Sequence, residues 1–196
     1  VSTDEVYGEN PGTPFKEKQF LNPTNPYSAS KAAADMIVNA YKKSYNMNIS
    51  TLRANNIYGI RQYPEKLIPK TIFCLLTKKK MPIHGDGNNY RHYLSVDDFC
   101  DGVIKIIENG KLNEIYNISS DRYYKVKDIV KIIAKNLNKD FKSNIKFVQD
   151  RPFNDKIYKI NCTKLKKLNW KVKRNLINDI SIICDWYKSN INLFIK

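Results

Sequence analysis

The sequence predicts an α/β protein, on three observations. Short runs suited to strands, Ile49–Asn56 (ISTLRANN), Glu114–Ile118 and Ile145–Val148, alternate with longer stretches whose apolar residues recur at three-and-four spacing. Gly, Pro and Asn punctuate the boundaries between them. A chain of 196 residues that is 42% hydrophobic and 27% charged has enough apolar surface to bury a core, and no internal repeat is visible.

Taken in order, residues 9–26 hold four of the eight Pro (11, 14, 23 and 26) and predict an extended loop. A helix is predicted from Tyr27 to about Tyr45, with Ala33, Met36, Ile37, Ala40 and Tyr41 at helical spacing. Ile49–Asn56 reads as one short strand, ended by Tyr58-Gly59, and Leu67–Leu76 as a helix. Lys78–Gly87 reads as a turn through Pro82, Gly85 and Gly87, and the stretch holding His84 and His92 as a loop. Val96–Glu108 is an amphipathic helix opened by Ser95, with Asp97 and Asp98 in its first turn, where the helix dipole favours acids. Glu114–Ile118 is a strand, Lys127–Leu137 a helix and Ile145–Val148 a strand, followed by an Asp150-Arg151-Pro152 loop. The last helix runs from Leu176 to about Lys188.

Composition excludes several classes. The aromatic and Ile content argues against disorder, and no apolar run approaches the roughly 18 residues of a membrane span. No basic-then-apolar segment opens the chain. Net charge is +15, but 28 of the 34 cations are Lys, and 23 Asn and 24 Ile accompany them. That pattern fits a compositional drift better than selection for phosphate contacts, where Arg is favoured. The run Lys164, Lys166, Lys167, Lys171, Lys173, Arg174, with Trp170 inside it, keeps a nucleic-acid-binding module open as a rival, though nucleic acid is not the expected partner. Cys74, Cys100, Cys162 and Cys184 form no CxxC pair, and His84 and His92 lie eight apart. No metal site is expected, and reduced thiols suit a cytoplasmic protein.

Two motifs carry chemistry. Tyr27 and Lys31 are four apart at a helix start, so a phenol and an ammonium share one face. A free phenol, with a pKa of about 10, is a poor base, and a nearby cation lowers that value. The pair suits removal of an alcohol proton as hydride leaves the same carbon. Twenty-two residues earlier, Thr3, Asp4 and Glu5 stand at the mouth of a predicted strand. Adjacent carboxyls repel, which keeps one protonated while the other is ionised. An acid and a base on neighbouring residues suit an elimination.

Ser2-Thr3-Asp4-Glu5-Val6-Tyr7-Gly8 followed by Tyr27-x-x-x-Lys31 resembles the nucleotide-sugar 4,6-dehydratases of the extended short-chain dehydrogenase/reductase superfamily. The likeness continues through Asn55-Asn56-Ile57-Tyr58-Gly59, Pro64–Pro69 (PEKLIP), Pro82–Gly87 (PIHGDG) with Arg91, Tyr116-Asn117-Ile118, Asp150–Asp155 (DRPFND) and Leu165–Trp170 (LKKLNW). Within the family these blocks look closest to the UDP-glucose enzymes of rhamnose synthesis, with the dTDP-glucose enzymes as near neighbours.

The resemblance implies a Rossmann-type doubly wound parallel sheet with a smaller α/β substrate lobe, of which this chain is the C-terminal part. Residues 1–62 would end the dinucleotide-binding domain and carry the catalytic residues; 63–196 would be mainly the substrate lobe, with elements returning to the sheet. It implies Tyr27, helped by Lys31 and Thr3, as the base at the C4 hydroxyl, Glu5 as the base at C5, and Asp4 as the acid at the C6 oxygen. NAD is the implied cofactor, held by Tyr27, Lys31 and Asn55. The nucleotide sugar would be held by Thr3, Asn56, Lys66, Arg91 and Arg151, with His84 and Asn154 near the base or ribose. A homodimer is usual for the family. The seven Gly stand at 8, 12, 59, 85, 87, 102 and 110, so no Gly-rich dinucleotide turn is present. The chain is therefore expected to be a shortened piece that exposes apolar surface and binds NAD weakly or not at all by itself. A 4-epimerase, which needs no acid at C6 and no base at C5, and an inactive remnant are the other readings.

Overall fold

The computed structural model describes residues 1–10 and 12–194; the loop residue Pro11 lies outside it. Strands β1 (Ser2–Thr3), β2 (Thr51–Ala54) and β6 (Ile115–Ile118) form a wholly parallel sheet in the order β1-β2-β6. Ser2 lies opposite Arg53, and Arg53 opposite Asn117. These strands are buried along almost their whole length, as parallel strands covered by helices must be. Among the described residues β1 pairs only with β2, so its other edge is open.

Helix α1 (Pro26–Tyr45) lies against β1 and starts where its sequence dictates. Asn25 Oδ1 accepts from Ser28 N at 2.9 Å, Ser28 Oγ accepts from Asn25 N at 3.1 Å, and Pro26 supplies a first residue with no N–H to satisfy. The helix ends at Asn46, whose φ of +51° is left-handed. Its outer face leaves Met36, Ile37, Tyr41 and Tyr45 exposed.

A second sheet joins β3 (Asn56–Tyr58) parallel to β5 (Tyr90–Ser95), with β7 (Tyr123–Lys125) antiparallel on the far side of β5. Against it pack α2 (Leu67–Leu76), α4 (Val126–Asn136) and α7 (Leu176–Asn190), burying Ile72, Leu75, Ile129, Ile133, Leu176 and Ile180. Between these last two strands in sequence runs α3 (Val96–Asn109), capped by Ser95 Oγ. A small third sheet pairs β4 (Met81–His84) with β8 (Ile145–Val148), introduced by the one-turn helix α5 (Phe141–Asn144). Another one-turn helix, α6 (Thr163–Lys166), packs on β6.

Three expectations need correction. Ile49–Asn56 is not one strand: the chain leaves the first sheet at Asn55, whose N–H still bonds Ile118 O at 3.2 Å, and enters the second at Asn56. Lys78–Gly87 is not all turn, because Met81–His84 is a strand; Pro82 is tolerated in a two-stranded ribbon where one side needs no ladder bond. The stretch around His92 is strand β5, not loop; it is half-buried over its first three residues and buried over its last three, so no period of two marks it in the sequence.

Among the described residues no helix is long and apolar enough to cross a membrane, and no group of three His, Cys, Asp or Glu could hold a metal. The cysteines are unpaired; Cys74, Cys162 and Cys184 are buried and Cys100 is exposed.

Candidate active site

A cleft of about 910 Å³ runs between the open end of the first sheet and the β4–β8 ribbon, and all twelve residues singled out in the sequence line it. Its floor is built from strand ends. Strand β1 delivers Thr3, whose Oγ1 caps the following 3₁₀ turn, Asp4–Tyr7, by accepting from Glu5 N at 3.3 Å. Gly8 closes that turn at φ +81°, and a Cβ there would strike the carbonyl of Asn22. The turn therefore presents Asp4 and Glu5 side by side at the sheet's end.

Asp4 is buried, and its carboxylate has two donors. Thr3 Oγ1 donates to Oδ1 at 3.2 Å and Asn55 Nδ2 donates to Oδ2. Burial outweighs these bonds and, with the neighbouring Glu5 charge, pushes the Asp4 carboxyl up to about 7. Glu5 is half-buried, and Asn25, the cap of α1, donates to its Oε2 at 3.4 Å. One carboxyl of the pair thus holds its proton to near neutrality.

Tyr27 stands in the first turn of α1, 55% exposed to the cleft. Burial and the charges of Glu5 and Asp4 raise its phenol above the ordinary value, while Lys66 and a hydrogen bond with Thr3 act in the opposite direction. The expected lowering by Lys31 is not what this arrangement gives: Lys31 Nζ donates to Val1 O at 3.1 Å, and Lys66 is the cation acting on the phenol. Lys66 is exposed beside Glu65, 3.0 Å away.

The far wall is made of loops. His84 ends β4 and its Nδ1 lies 3.2 Å from Gln149 O. Gly85 follows at φ +58°, where a Cβ would run into the Asp150 carboxylate, so the turn and the 149–155 loop interlock. Arg91 and Asn154 are joined, Nη2 to Oδ1, at 3.1 Å, and Arg91 Nη1 also donates to Asp155 O at 2.8 Å. Asn56 and Arg151 are exposed at the mouth. Residues the sequence reading passed over also belong here. Asn25 could have been found from its place before Pro26 at a helix start. Tyr158 and Asp155 had no local signal: Tyr158 OH donates to Asp155 Oδ2, which also accepts from Thr24 Oγ1 at 3.0 Å, tying this loop to the entry of α1. Phe153, 53% exposed, also lines the cleft.

A parallel sheet whose strand ends carry Thr, Asp and Glu beside a helix carrying Tyr and Lys, with a second lobe across the cleft, defines an α/β enzyme fold of the extended short-chain dehydrogenase/reductase type. The family model for GDP-mannose 4,6 dehydratase matches residues 1–181, and the chain belongs to that family. It is 44% identical over 193 residues to the Arabidopsis thaliana trifunctional UDP-glucose 4,6-dehydratase/UDP-4-keto-6-deoxy-D-glucose 3,5-epimerase/UDP-4-keto-L-rhamnose-reductase, covering 97% of this chain and 29% of that protein. To the human dTDP-D-glucose 4,6-dehydratase it is 36% identical over 197 residues, covering 98% of this chain and 56% of the relative. The crystal structure of a Streptomyces venezuelae dTDP-glucose 4,6-dehydratase with NAD and TYD bound superposes with a TM-score of 0.94 at 32% identity, covering 98% of this chain and 60% of that one. The chain spans less than two thirds of the length of each of these proteins.

Proposed function

We propose that this chain supplies the catalytic and sugar-nucleotide side of an NAD-dependent 4,6-dehydratase acting on a nucleoside-diphosphate glucose. UDP-glucose is the first choice of substrate, from the higher identity to the plant enzyme, and dTDP-glucose the second. The observation that carries the reading is the Asp4–Glu5 pair: one carboxyl protonated to about pH 7 beside a second, both opening on the cleft that holds Tyr27.

The cleft fits the nicotinamide end of the cofactor. Ser2 Oγ and Asn55 Oδ1, both buried and both on its lining residues, have no hydrogen-bond partner, and Tyr27 and Lys31 border the same space. No Gly-rich turn for a pyrophosphate is present in the sequence. NAD⁺, when bound, supplies the place where a hydride rests between its departure from C4 and its return to C6. Tyr27 takes the C4 hydroxyl proton, which requires the cation Lys66 to offset the Glu5 and Asp4 charges on its phenol. The 4-ketone so formed acidifies C5; Glu5, held by Asn25, removes that proton. Asp4 gives its own proton to the C6 oxygen, water leaves, and the proton taken up by Glu5 returns to C5 as C6 receives the hydride, leaving the 4-keto-6-deoxy sugar. Arg91, Arg151, Lys66 and Asn56 face the diphosphate, Arg being suited by its planar fork, and His84 and Asn154 face the ribose or base.

On this reading residues 1–62 close the cofactor lobe and 63–196 form mainly the substrate lobe, with β6 returning to the first sheet. The exposed row Met36, Ile37, Tyr41 and Tyr45 on α1 is the face for a second copy. A 4-epimerase uses the Tyr–Lys pair but neither carboxyl, so the shifted Asp4 favours dehydration. The test is incubation of the chain with UDP-glucose and NAD⁺, alone and with the Gly-rich N-terminal third of a dehydratase relative supplied in trans. Formation of a 4-keto sugar, read by its alkali-induced absorbance, is expected in the second arm; epimerised hexose without 4-keto sugar would overturn the reading.

A further inference from the structure

We propose that Asn55 is a positioning residue for the acid of the pair: its side-chain amide fixes the Asp4 carboxylate at the floor of the cleft and couples what binds there to the protonation of that carboxylate. The proposal deepens the dehydratase reading and rests on it for its purpose.

The geometry comes from the point where the chain changes sheets. Asn55 follows the last residue of β2 and precedes the first of β3, and its N–H bonds Ile118 O at 3.2 Å, so its backbone is fixed from two sides. Asn55 is buried, 6% exposed, and donates through Nδ2 to Asp4 Oδ2. Thr3 Oγ1 holds the other oxygen at 3.2 Å. Two donors on two oxygens fix the carboxyl plane, which a single donor would leave free to rotate. The second, independent observation is on the same side chain: Asn55 lines the cleft, and its Oδ1 is buried and has no partner. A buried acceptor without a donor costs stability, which is recovered when a ligand hydroxyl or N–H fills it. One amide group therefore touches the acid with one atom and offers the other to the ligand. Donation by the ligand to Oδ1 polarises the amide and strengthens the Nδ2–H bond to Asp4, the mutual strengthening seen along hydrogen-bond chains.

The charged and titratable groups around Asp4 are Glu5 on its own turn and Tyr27 on α1, with Lys66, ahead of α2, acting on Tyr27. Asn55 bonds the ionised form of Asp4, so removing the amide should raise the midpoint at which Asp4 ionises. A residue that merely filled space would leave that midpoint where it is.

The test follows the side-chain amide of Asn55 and the carboxyl carbon of Asp4 by NMR against pH in the unaltered chain. Both are expected to move with one shared midpoint near 7, and the Asn55 step is expected to vanish in Asp4→Asn. An Asn55 amide that does not titrate overturns the proposal. Asn55→Leu, of similar volume and with no donor, should lift the Asp4 midpoint by about one unit. Asn55→Asp, nearly isosteric, should lift it as well and make the titration biphasic. An unshifted Asp4 midpoint in either folded variant would also overturn it. None of these readouts needs turnover, so the coupling can stand even if no 4-keto sugar is formed, and the dehydratase reading can stand if the coupling fails.

Discussion

The two walls of the cleft are built differently. On the sheet side, Asp4 and Asn55 are buried, stand at strand ends and are bonded to each other before any ligand arrives. On the opposite side, His84, Arg91, Arg151 and Asn154 stand on the ends of short strands and on loops, and side-chain atoms of His84, Arg91 and Asn154 are bonded to neighbouring loop atoms. Behind the first wall lies a buried network. Arg53 Nε pairs with Asp35 at 2.9 Å, its Nη1 donates to Tyr7 OH at 2.8 Å, and Tyr7 OH donates to Asn117 Oδ1 at 2.9 Å. That network joins β2, β6 and the turn that follows β1 to α1. Under the proposed function, the difference teaches that the reacting end is preorganised, where a misplacement by an ångström is costly, while the binding end exchanges internal bonds for ligand bonds.

The comparison is broken most sharply at Tyr27. Tyr27→Phe removes the proposed proton acceptor and leaves the loops alone, so formation of 4-keto sugar should fall by about 10²–10⁴-fold with little change in UDP-glucose affinity measured by calorimetry. Loss of affinity with unaltered turnover would mean that Tyr27 belongs to the binding wall instead.

Next in size is the support behind the sheet. Arg53→Met leaves Asp35 buried without its cation, and removal of one member of such a pair costs about 3–5 kcal/mol. Denaturant unfolding should show that loss. A change below about 1 kcal/mol would mean that the first wall draws its rigidity from elsewhere.

The Asp4 carboxyl gives a signed test of the same rigidity. Its folded value of about 7 lies above the ordinary 3.8, so the folded chain holds the proton more tightly than the unfolded chain. Stability is unaffected by this group at pH below the ordinary value and is lost as pH rises from there through about 7. Asp4→Asn removes the penalty. The stability of the variant relative to the parent should grow across that window, by at most about 4 kcal/mol, in unfolding curves taken at several pH values. A difference independent of pH would mean that Asp4 is hydrated and ionised like a surface carboxylate.

Much of the first wall was legible in the sequence, because its chemistry is local. Tyr27 and Lys31 are one helical turn apart, Thr3, Asp4 and Glu5 are consecutive, and Asn25-Pro26 marks the helix start. What stayed hidden was pairing at a distance. The bond from Asn55 to Asp4 spans 51 positions and depends on the sheet change that a single predicted strand conceals. Lys66 was assigned to the diphosphate and its effect on Tyr27 went unseen, since 39 residues separate them. Strands β5 and β7 were missed for the same reason: three-residue pairing with a distant partner leaves little trace in local hydrophobic period.

The smallest effect concerns the basic run, which lies away from both walls. In sequence, Lys164, Lys166, Lys167, Lys171, Lys173 and Arg174 have no acid among them, yet the fold supplies acids from elsewhere. Lys164 pairs with Glu114 at 2.7 Å, Lys166 with Asp121 at 2.7 Å, Lys173 with Asp101, and Arg174 with Asp179 at 3.1 Å. Among the described residues Lys167 and Lys171 are the two of the six without such a partner. A paired cation is already neutralised and releases no counterion when a phosphate approaches, so only about two of the six should count toward nucleic-acid binding. The slope of log affinity against log salt for duplex DNA should then be about −2, a roughly tenfold change between 50 and 200 mM salt. A slope near −5 would require all six cations on phosphates and would revive a nucleic-acid role for this surface. Exposed ion pairs are weak enough to open for a strong competitor, which is why the slope, rather than the presence of binding, decides between the two.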